Sequence, residues 1–390
     1  MVTAAQAKSL RAQLHAAGVF EFDEGAAWRK LAITLTLAAA AMVGVVVGPL
    51  WLSILLVPVV AAFIVPAAML GHEGSHRSIS PSPRRNALMQ HICFPLLSGL
   101  GALHWRNKHD VLHHGHPNVQ GADPDITLWP MTSCAEDHQR ANPLRRWLQR
   151  NVQGYIFWPL TLLLPTMMRI SSIKRLGFHA RKRGLDGAFW ADALCQLAHY
   201  TLWVGIPVAI WGLPALAVYL GVWAAVGVML ALIFAPAHIG LPVIHDQITD
   251  WEHQLETTRN LALPRWLSWF FVGLDYQIEH HLFPKIPHSQ LPRAAAIVGR
   301  WCDEIGLRHE TISYGPAVVD VTRFLHNAWR TPSQPGVEVR SVSEAIAAAV
   351  VAGRPGASDA ASGPVMVPPP ARPSVAAMVA AASGVLPSGR

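Results

Sequence analysis

Charged residues are scarce in this sequence. Only 14% of its 390 residues are Asp, Glu, Lys or Arg, whereas an average soluble domain carries about 25%. The mean hydropathy is correspondingly positive, at +0.28. This shortage indicates an integral membrane protein. The net charge of +7 does not indicate a nucleic-acid partner, because the basic residues flank apolar segments, as in the cytoplasmic loops of membrane proteins.

Cysteine is scarce as well. The four cysteines are far apart and form no Cys-x-x-Cys pair. Their spacing argues against a disulfide framework or a thiolate metal site, so we expect reduced structural thiols. We also expect no cleavable signal peptide, because the first 30 residues are mixed and polar and the first apolar run is long enough to span a bilayer.

Long apolar runs, by contrast, are abundant. A membrane-spanning helix needs about 20 mostly apolar residues, and four segments qualify as two hairpins, each interrupted by glycine and proline. The predicted spans are residues 31–48, 50–70, 195–211 and 214–237. Two further stretches, 92–103 and 155–170, are too short or contain prolines, and we expect them to be interfacial or re-entrant.

The distribution of Lys and Arg predicts the orientation. The loops at 71–152 and 171–193 are both basic, so the positive-inside rule predicts that both are cytoplasmic. That arrangement requires that residues 155–170 do not cross the membrane. We therefore predict an all-α integral membrane protein with four transmembrane helices as two hairpins, both termini in the cytoplasm, and a cytoplasmic helical cap.

Three regions are predicted along the chain. Residues 1–30 form an N-terminal cytoplasmic or interfacial segment, and residues 31–330 form the membrane domain. The composition then shifts to Pro, Ala, Gly and Ser, which is typical of a flexible extension. We predict such a tail over 331–390, with a short helix near 343–352.

Histidine is unusually abundant, with 20 residues against 24 Asp plus Glu. Seven of the histidines fall in three boxes. These are His72 and His76, then His109, His113 and His114, and finally His280 and His281, which follow Gln277. Residues at i, i+4 share one helix face about 5–6 Å apart, so two imidazoles can reach one metal. Seven ligands exceed the three or four protein ligands of a single zinc. We therefore predict that the cytoplasmic helical cap holds a di-metal site. Imidazole suits Fe, Zn and Cu alike.

His238 is a predicted eighth ligand. It lies just past the fourth span, and the four-span topology brings it to the same membrane surface as the three boxes. His199 lies alone in the third span and is expected to be structural. Five more histidines lie near the boxes and are expected to be structural or to support the ligands, namely His104, His116, His245, His253 and His288.

The boxes resemble those of the membrane fatty acid desaturases, over about residues 30–330. The shared stretches are Gly-His-Glu-Gly-Ser-His at 71–76, Trp-Arg-Asn-Lys-His-Asp-Val-Leu-His-His at 105–114, Asp-Pro-Asp-Ile at 123–126, and Gly-Leu-Asp-Tyr-Gln-Ile-Glu-His-His-Leu-Phe-Pro at 273–284. Gln277, where other members have histidine, is typical of the front-end and related acyl-lipid subgroup. Many of those enzymes carry a fused cytochrome b5 domain with a His-Pro-Gly-Gly motif, which this sequence lacks.

The resemblance implies an activity and its cofactors. It implies two iron ions, O₂ as co-substrate, and two electrons from a separate ferredoxin or cytochrome b5-like protein. The reaction would introduce a cis double bond into a fatty acyl chain carried by a membrane lipid, CoA or a carrier protein, with no catalytic residues beyond the metal ligands. Candidates to orient the imidazoles from outside are Gln277, Glu73, Asp110, Asp123, Asp125 and Glu279.

Two alternatives remain open at this point. Related hydroxylases and ketolases act on lipids or carotenoids with similar histidine boxes. A non-enzymatic membrane protein with a structural zinc site would need only three or four of the histidines and leaves the others unexplained. The sequence leaves the acyl chain length, the double-bond position and the oligomeric state open.

Overall fold

The computed structural model describes residues 2–245 and 250–335. As predicted, this part of the chain is mostly helical, and its only strands are two segments of three residues each. The predicted helix at 343–352 lies outside the described residues. The beginning of the predicted tail is described and bound to the domain, since Gln334 N donates to Val243 O at 2.7 Å and Thr331 O accepts from Ala135 N at 2.8 Å.

The α-helices are numbered in chain order. They are α1 (Ala4–Ala16), α2 (Glu24–Val47), α3 (Leu50–His76), α4 (Pro83–His91), α5 (Ala102–Trp105), α6 (Ala135–Arg140), α7 (Pro143–Asn151), α8 (Gln153–Leu160), α9 (Leu164–Arg183), α10 (Gly187–Tyr200), α11 (Ile206–Trp211), α12 (Leu213–His238), α13 (Trp251–Thr257), α14 (Arg265–Phe271), α15 (Gln277–Leu282), α16 (Leu291–Ile305) and α17 (Tyr314–Asn327). π-Helical segments occupy Ile92–Ser98, Arg106–His113 and Thr201–Gly205, and 3-10 turns occupy Thr161–Leu163 and Ala328–Arg330.

Five helical stretches of the described chain are long and apolar enough to cross a membrane. They are Glu24–Val47, Leu50–His76, Gln153–Arg183, Gly187–Trp211 and Leu213–His238. Three of them contain a predicted span, and Glu24–Val47 covers the predicted span 31–48 except for its last residue. The remaining one includes the segment predicted to be interfacial or re-entrant.

The helix bounds differ from the predicted spans for local reasons. The first helix begins at Glu24 rather than at 31, because Asp23 caps it through a hydrogen bond from Ala26 N at 3.0 Å. The second continues from residue 70 to His76, so the first histidine box is the last turn and a half of α3. Burial of this polar end allows the helix to continue past the apolar run.

The two long helices α3 and α12 form the centre of the membrane part. α3 packs against both α2 and α12, and α12 also packs against α9 and α11. At the opposite end from the histidines, the α2–α3 turn exposes apolar side chains, with Val47 and Leu50 each 77% exposed. Exposed apolar surface of this kind is expected where lipid surrounds the protein.

Residues 83–105 form a loop that packs into this helical layer and returns. Gly71 of α3 permits close packing, since a Cβ there would lie 2.8 Å from Cys93 Cβ. The π-helical part ends at Gly99, whose φ of 67° is left-handed. Asp192 of α10 then accepts hydrogen bonds from Ala102 N at 2.8 Å and Leu103 N at 3.2 Å, which anchors the start of α5. This path brings the chain back to the second histidine box.

The helices that follow α12 form a second layer together with α1. We call this layer, which consists of α1 and residues 250–335, the cap. Strands β1 (Asn260–Ala262) and β2 (Thr311–Ser313) pair in parallel with Leu261 opposite Ile312. A separate apolar core joins α1 to α15 and α16 through buried residues that include Leu10, Leu14, Ile278, Val298 and Trp301. The cap thereby holds the third histidine box against the ends of α3 and α12.

Candidate metal centre

All eight predicted histidine ligands meet in one buried cluster. His76 and His238 are the last residues of α3 and α12, the second box is the π-helical turn after α5, and the third box lies on α15 of the cap. The cluster divides into two groups by the distances between ring nitrogens.

The larger, five-histidine group contains His72, His76, His109, His114 and His280. One ligand atom from each lies within 4.8 Å of those of the others. His72 Nε2 is 2.8 Å from His109 Nε2, and His114 Nε2 is 3.1 Å from both His109 Nε2 and His280 Nε2. With metal–nitrogen bonds of about 2.1 Å, such separations suit nitrogens bound to the same ion.

The smaller, three-histidine group contains His113, His238 and His281, again with ligand atoms within 4.8 Å of one another. Gln277 belongs with it, because its Nε2 lies 2.9 Å from His238 Nε2. Asp125 lies between the groups, since its carboxylate forms a further set within 4.8 Å with His109 and His113. Two neighbouring metal positions are therefore available.

Helical spacing predicts only part of this grouping. His72 and His76 share a group, as their i, i+4 spacing indicates. In the second box, however, His109 shares the five-histidine group with His114 at i+5, whereas His113 at i+4 belongs to the three-histidine group. The reason is that Arg106–His113 is π-helical, with His114 N donating to His109 O at 3.0 Å, so i+5 residues align. In the third box the i, i+4 pair is Gln277 and His281.

The three-histidine group has hydrogen-bond acceptors on the outer side of every ring. His113 Nδ1 lies 3.1 Å from both carboxylate oxygens of Asp123. His238 Nδ1 is 3.2 Å from Thr257 O, and His281 Nδ1 is 3.0 Å from Gln254 Oε1. An acceptor at Nδ1 fixes the tautomer in which Nε2 is free to bind a metal. Although burial alone would lower it, the charge of Asp123 raises the pKa of His113.

Of the carboxylates predicted to orient the imidazoles, some lie beside the clustered rings and others contact the surrounding chain. Asp123, which is fully buried, contacts a ligand directly, and Asp125 Oδ2 lies 3.5 Å from His113 Nδ1 while pairing with Lys108. Asp110 Oδ1 is 3.8 Å from His76 Nε2 and accepts from Ser75 Oγ at 3.1 Å. Burial raises the pKa of Asp110 to about 7.

Glu73 and Glu279 instead hold the surrounding backbone. Glu73 accepts from His288 N at 2.7 Å and from His288 Nδ1 at 2.8 Å, which ties α3 to the loop after the third box. Glu279 is fully buried and accepts from His309 Nε2 at 2.7 Å and Asn260 Nδ2 at 2.8 Å. These two carboxylates therefore position the third box from behind.

The other histidines lie outside both groups. His253 Nε2 is 2.8 Å from Pro117 O, His116 Nδ1 is 3.2 Å from Leu112 O, and His245 Nδ1 is 3.3 Å from Ser333 Oγ. Burial lowers the pKa of His104 to about 4. His199 contacts Leu96 O at 3.1 Å and Tyr219 Oη at 2.8 Å, as a structural histidine would.

The cluster has the chemistry of a metal centre. Buried polar atoms normally have a hydrogen-bond partner, yet His76 Nε2, His281 Nε2 and Gln277 Oε1 have none among the described residues. Burial lowers the pKa of His109 and His280 well below the usual value, so both rings are neutral and offer lone pairs. Metal ions bound between the rings would satisfy these atoms, and the residues present therefore fit a pair of ions.

Comparison with known proteins agrees with this geometry. The family model described as "Fatty acid desaturase" matches residues 49–313, which is more than half of the chain. The chain belongs to the fatty acid desaturase family. The resemblance inferred from the histidine boxes is thus confirmed.

Several desaturases are similar to this chain. "Fatty acid desaturase 3" of Bos taurus is 30% identical over 289 residues, which cover 72% of this chain and 64% of the relative. The "sn-1 linoleoyl-lipid 6-desaturase" of Arthrospira platensis is 28% identical over 326 residues, covering 77% of this chain and 85% of the relative. "Acyl-lipid (8-3)-desaturase" of Rebecca salina is 27% identical over 283 residues, covering 68% and 61%. The chain spans under two thirds of the bovine and Rebecca relatives.

An apolar cavity of about 540 Å³ reaches the histidine cluster of this desaturase-family protein. His109, His113 and His238 form part of its lining. Its walls come from α3, α5, α8, α9 and α12, from residues 94–100 and from residues 124–131. Along α12 they include Trp223, Leu230 and Phe234. A long, apolar ligand fits such a space better than a polar one.

Three residues that support the site had no sequence signal. Gln254 and Thr257 contact ligand rings from α13, and Asn260 contacts Glu279 from β1. They lie about 20 residues before the third box, without the spacing or composition of a motif. Only the packing of α13 against α15 brings the first two to the centre.

Proposed function

We propose that this protein is a membrane fatty acid desaturase that uses O₂ and two electrons to introduce a cis double bond into an acyl chain. The observation that carries the proposal is that three residues of the eight-histidine cluster, His109, His113 and His238, line the apolar cavity. An unactivated methylene must lie beside the metal ions, and an extended apolar cavity orients it there.

The histidines would hold two iron ions, one in each group, with Gln277 beside His238 and Asp125 between the groups. When bound, such a pair supplies the oxidising power that removes two hydrogens from neighbouring carbons. The chain itself contributes neutral nitrogen donors, fixed tautomers at His113, His238 and His281, and a water-poor environment, since seven of the eight histidines are less than one tenth exposed.

The packing of α8 to α10 supports a four-span topology. α8 packs on α17 of the cap, where Trp158 Nε1 donates to Thr322 Oγ1 at 3.0 Å. After α9, the chain enters α10, whose Asp192 caps the helix that leads into the second box. From these contacts we infer that both ends of Gln153–Arg183 lie on the side of the histidine cluster. We propose that it is interfacial or re-entrant.

The orientation follows from charge. With Gln153–Arg183 on one side, the basic stretches before and after it face the same compartment. The positive-inside rule assigns that compartment to the cytoplasm. We therefore propose that the histidine cluster, the cap and both termini are cytoplasmic, and that residues 31–330 form the membrane domain.

The acyl substrate and the electron donor are also proposed. Relatives are named for acyl-lipid and fatty-acid desaturation, so we propose a fatty acyl lipid, acyl-CoA or acyl-carrier substrate. As the family resemblance implies, we also propose that a ferredoxin or cytochrome b5-like protein delivers the electrons.

Heterologous expression followed by mass analysis of total lipids tests the proposal. We expect new fatty acids that lack two hydrogens, in cells with the wild-type chain and a supplied electron donor. His280→Ala should remove them, whereas His326→Ala, at an exposed position of α17, should not. A gain of one oxygen atom instead would identify a hydroxylase, and unchanged lipids in all three strains would contradict the proposal.

A further inference from the structure

A short helix beside the apolar cavity exposes both apolar and basic side chains. On α7, Leu144 and Trp147 lie one turn apart and are 76% and 59% exposed. The same helix carries Arg145, Arg146 and Arg150. A helix that exposes apolar and basic side chains together is typical of the membrane surface, where the apolar residues enter the lipid and the basic ones meet its headgroups.

Hydrogen bonds hold α7 against the wall of the cavity. Arg145 Nε and Gln149 Nε2 both donate to Pro130 O, at 3.3 Å and 3.0 Å. Pro130 and its neighbour Trp129 line the cavity. Because Trp129 is also 76% exposed, the cavity opens to the outside beside it. We call this opening, at Trp129 and Pro130, the cavity mouth, and Arg145 lies next to it.

The arginines of α7 form no ion pair with a carboxylate of the described residues. Arg146 Nε donates to Ala141 O at 2.7 Å. Arg150 Nε donates to His138 Nε2 at 3.2 Å. These contacts orient the two side chains, but they leave the positive charges without a compensating anion. An anion at the cavity mouth would therefore interact favourably with the arginines of α7.

The apolar side chains indicate what kind of molecule carries this anion. Leu144 and Trp147 on α7 and Trp129 at the cavity mouth are all exposed. A water-soluble acyl carrier has no hydrocarbon surface to cover them, whereas a bilayer does. Tryptophan is enriched at the membrane–water interface, and basic side chains near the membrane attract anionic lipids. A phospholipid meets both requirements, with a phosphate for the arginines and hydrocarbon for the apolar side chains.

The cavity mouth lies close to the histidine cluster. Asp125 Oδ2 is 3.5 Å from His113 Nδ1, and Trp129 follows Asp125 by four residues. Since an extended chain spans at most about 3.5 Å per residue, the Cα atoms of Asp125 and Trp129 lie within about 14 Å of each other. An acyl chain that enters at the mouth can therefore reach His113 and continue, because the cavity extends along α12 as far as Trp223.

We propose that α7 binds the phosphate of a glycerophospholipid at the cavity mouth, and that an acyl chain of this lipid enters the cavity while still esterified. Arg145 and Arg146 supply most of the attraction for the phosphate, and Leu144 and Trp147 rest in the surrounding hydrocarbon. This inference rests on the proposed desaturase function for the reaction, but its binding step can be measured without any reaction.

The binding test uses the purified full-length protein in micelles of an uncharged detergent and displacement of the fluorescent fatty acid cis-parinaric acid. Palmitoyl-oleoyl-phosphatidylglycerol competes first, and then the diacylglycerol with the same two acyl chains. Each basic residue near an anionic lipid contributes roughly fivefold in affinity. With two arginines, the wild type should bind the phospholipid roughly 20-fold more tightly than the diacylglycerol. Equal binding of the two lipids, or displacement by neither, would overturn the proposal.

The variants decide whether α7 is responsible. Arg145→Gln should lower the preference for the phospholipid roughly fivefold, and adding Arg146→Gln should bring the two lipids to within roughly threefold of each other. Arg145→Lys keeps the charge and should keep most of the preference. Arg300→Gln is the matched control, since Arg300 lies at an exposed position of α16 and does not line the cavity. An unchanged preference in the double variant would overturn the lipid site.

Palmitoyl-CoA tests whether a soluble carrier occupies the mouth instead. It also carries phosphate, but it has no second acyl chain to cover Leu144 and Trp147. The wild type should therefore bind it no more tightly than phosphatidylglycerol. If palmitoyl-CoA binds more tightly, and loses this advantage in the double variant, the arginines of α7 bind a soluble acyl carrier and the proposal is wrong.

Lipid analysis of expressing cells separates this inference from the proposed function. If the binding preference depends on Arg145 and Arg146 but no double bond forms, the desaturase function fails and the α7 site stands. If double bonds form but the wild type binds both lipids equally, the desaturase function stands and the α7 site is wrong.

Discussion

The two histidine groups are built differently. In the five-histidine group the rings face one another, with Nε2 atoms 2.8–3.1 Å apart along the series His72, His109, His114 and His280. In the three-histidine group each ring is fixed from outside by Asp123, Thr257 O or Gln254. Metal binding by the five-histidine group would depend on its number of nitrogen donors. Metal binding by the three-histidine group would depend on the residues that accept hydrogen bonds from its rings.

The difference predicts unequal metal sites. With five imidazoles, one position has enough nitrogen donors for a tightly held ion. The other position has three imidazoles and the neutral amide of Gln277, 2.9 Å from His238 Nε2. For a metal ion such as iron, an amide oxygen is a weaker ligand than an imidazole nitrogen. We therefore expect the three-histidine group to lose its ion first and to depend more on its supporting residues.

The largest expected effect comes from removing a ligand of the five-histidine group. Removing a residue that only orients a ligand costs roughly 10–100-fold in metal affinity or activity, so His280→Ala should cost more than about 100-fold in double-bond formation. Iron per chain, measured on purified protein, should fall as well. If His280→Ala retained both its iron and its products, the assignment of His280 as a ligand would be wrong.

Asp123→Asn should show the next largest effect, and it should be confined to the three-histidine group. The substitution keeps the shape of the side chain but removes the charge beside His113 Nδ1, and we expect a loss of roughly 10–100-fold in activity. One of two irons should be lost on dialysis. Asp303→Asn, at an exposed position of α16, is the control and should behave as wild type, and equal loss of both irons from Asp123→Asn would contradict unequal sites.

Gln277 gives a direct way to change the difference between the groups. Gln277→Ala removes a donor beside His238 and should weaken retention of the second ion by roughly tenfold. Gln277→His adds an imidazole at the same place and should strengthen its retention. Competition with a chelator, followed by counting the remaining iron, measures both. Identical iron loss from the two variants would show that residue 277 does not face the metal.

The smallest effect is expected at Gln254. Gln254→Ala removes the acceptor for His281 Nδ1, which lies 3.0 Å away. A neutral hydrogen bond contributes about 1 kcal/mol, so the second ion should be held roughly fivefold more weakly. Chelator competition again provides the measurement. A loss as large as that of Asp123→Asn would show that Gln254 has a role beyond this hydrogen bond.

The sequence predicted the members of the centre better than their arrangement. Histidine spacing and the ends of the apolar runs predicted eight residues that the structure brings together, because residue type and helical period are local properties. The partition into five and three was not predictable, since it depends on a π-helical turn that aligns His109 with His114. π-Helical geometry has no clear local signature and is set here by the surrounding packing.

Other features required the tertiary structure. The helices extend past the predicted spans at 31 and 70, because capping by Asp23 and burial of the first box stabilise polar helix ends. Gln254, Thr257 and Asn260 act on the centre from α13 and β1, which the sequence does not connect to it. The apolar cavity likewise combines residues from several helices and loops, and no single segment indicates it.

The metal content of the purified chain tests the central claim most directly. Two groups of imidazoles, each with ligand atoms within 4.8 Å of one another, predict about two iron atoms per chain, one of which a chelator removes first. A preparation that contains one zinc atom per chain and no iron, from cells supplied with both metals, would contradict the account.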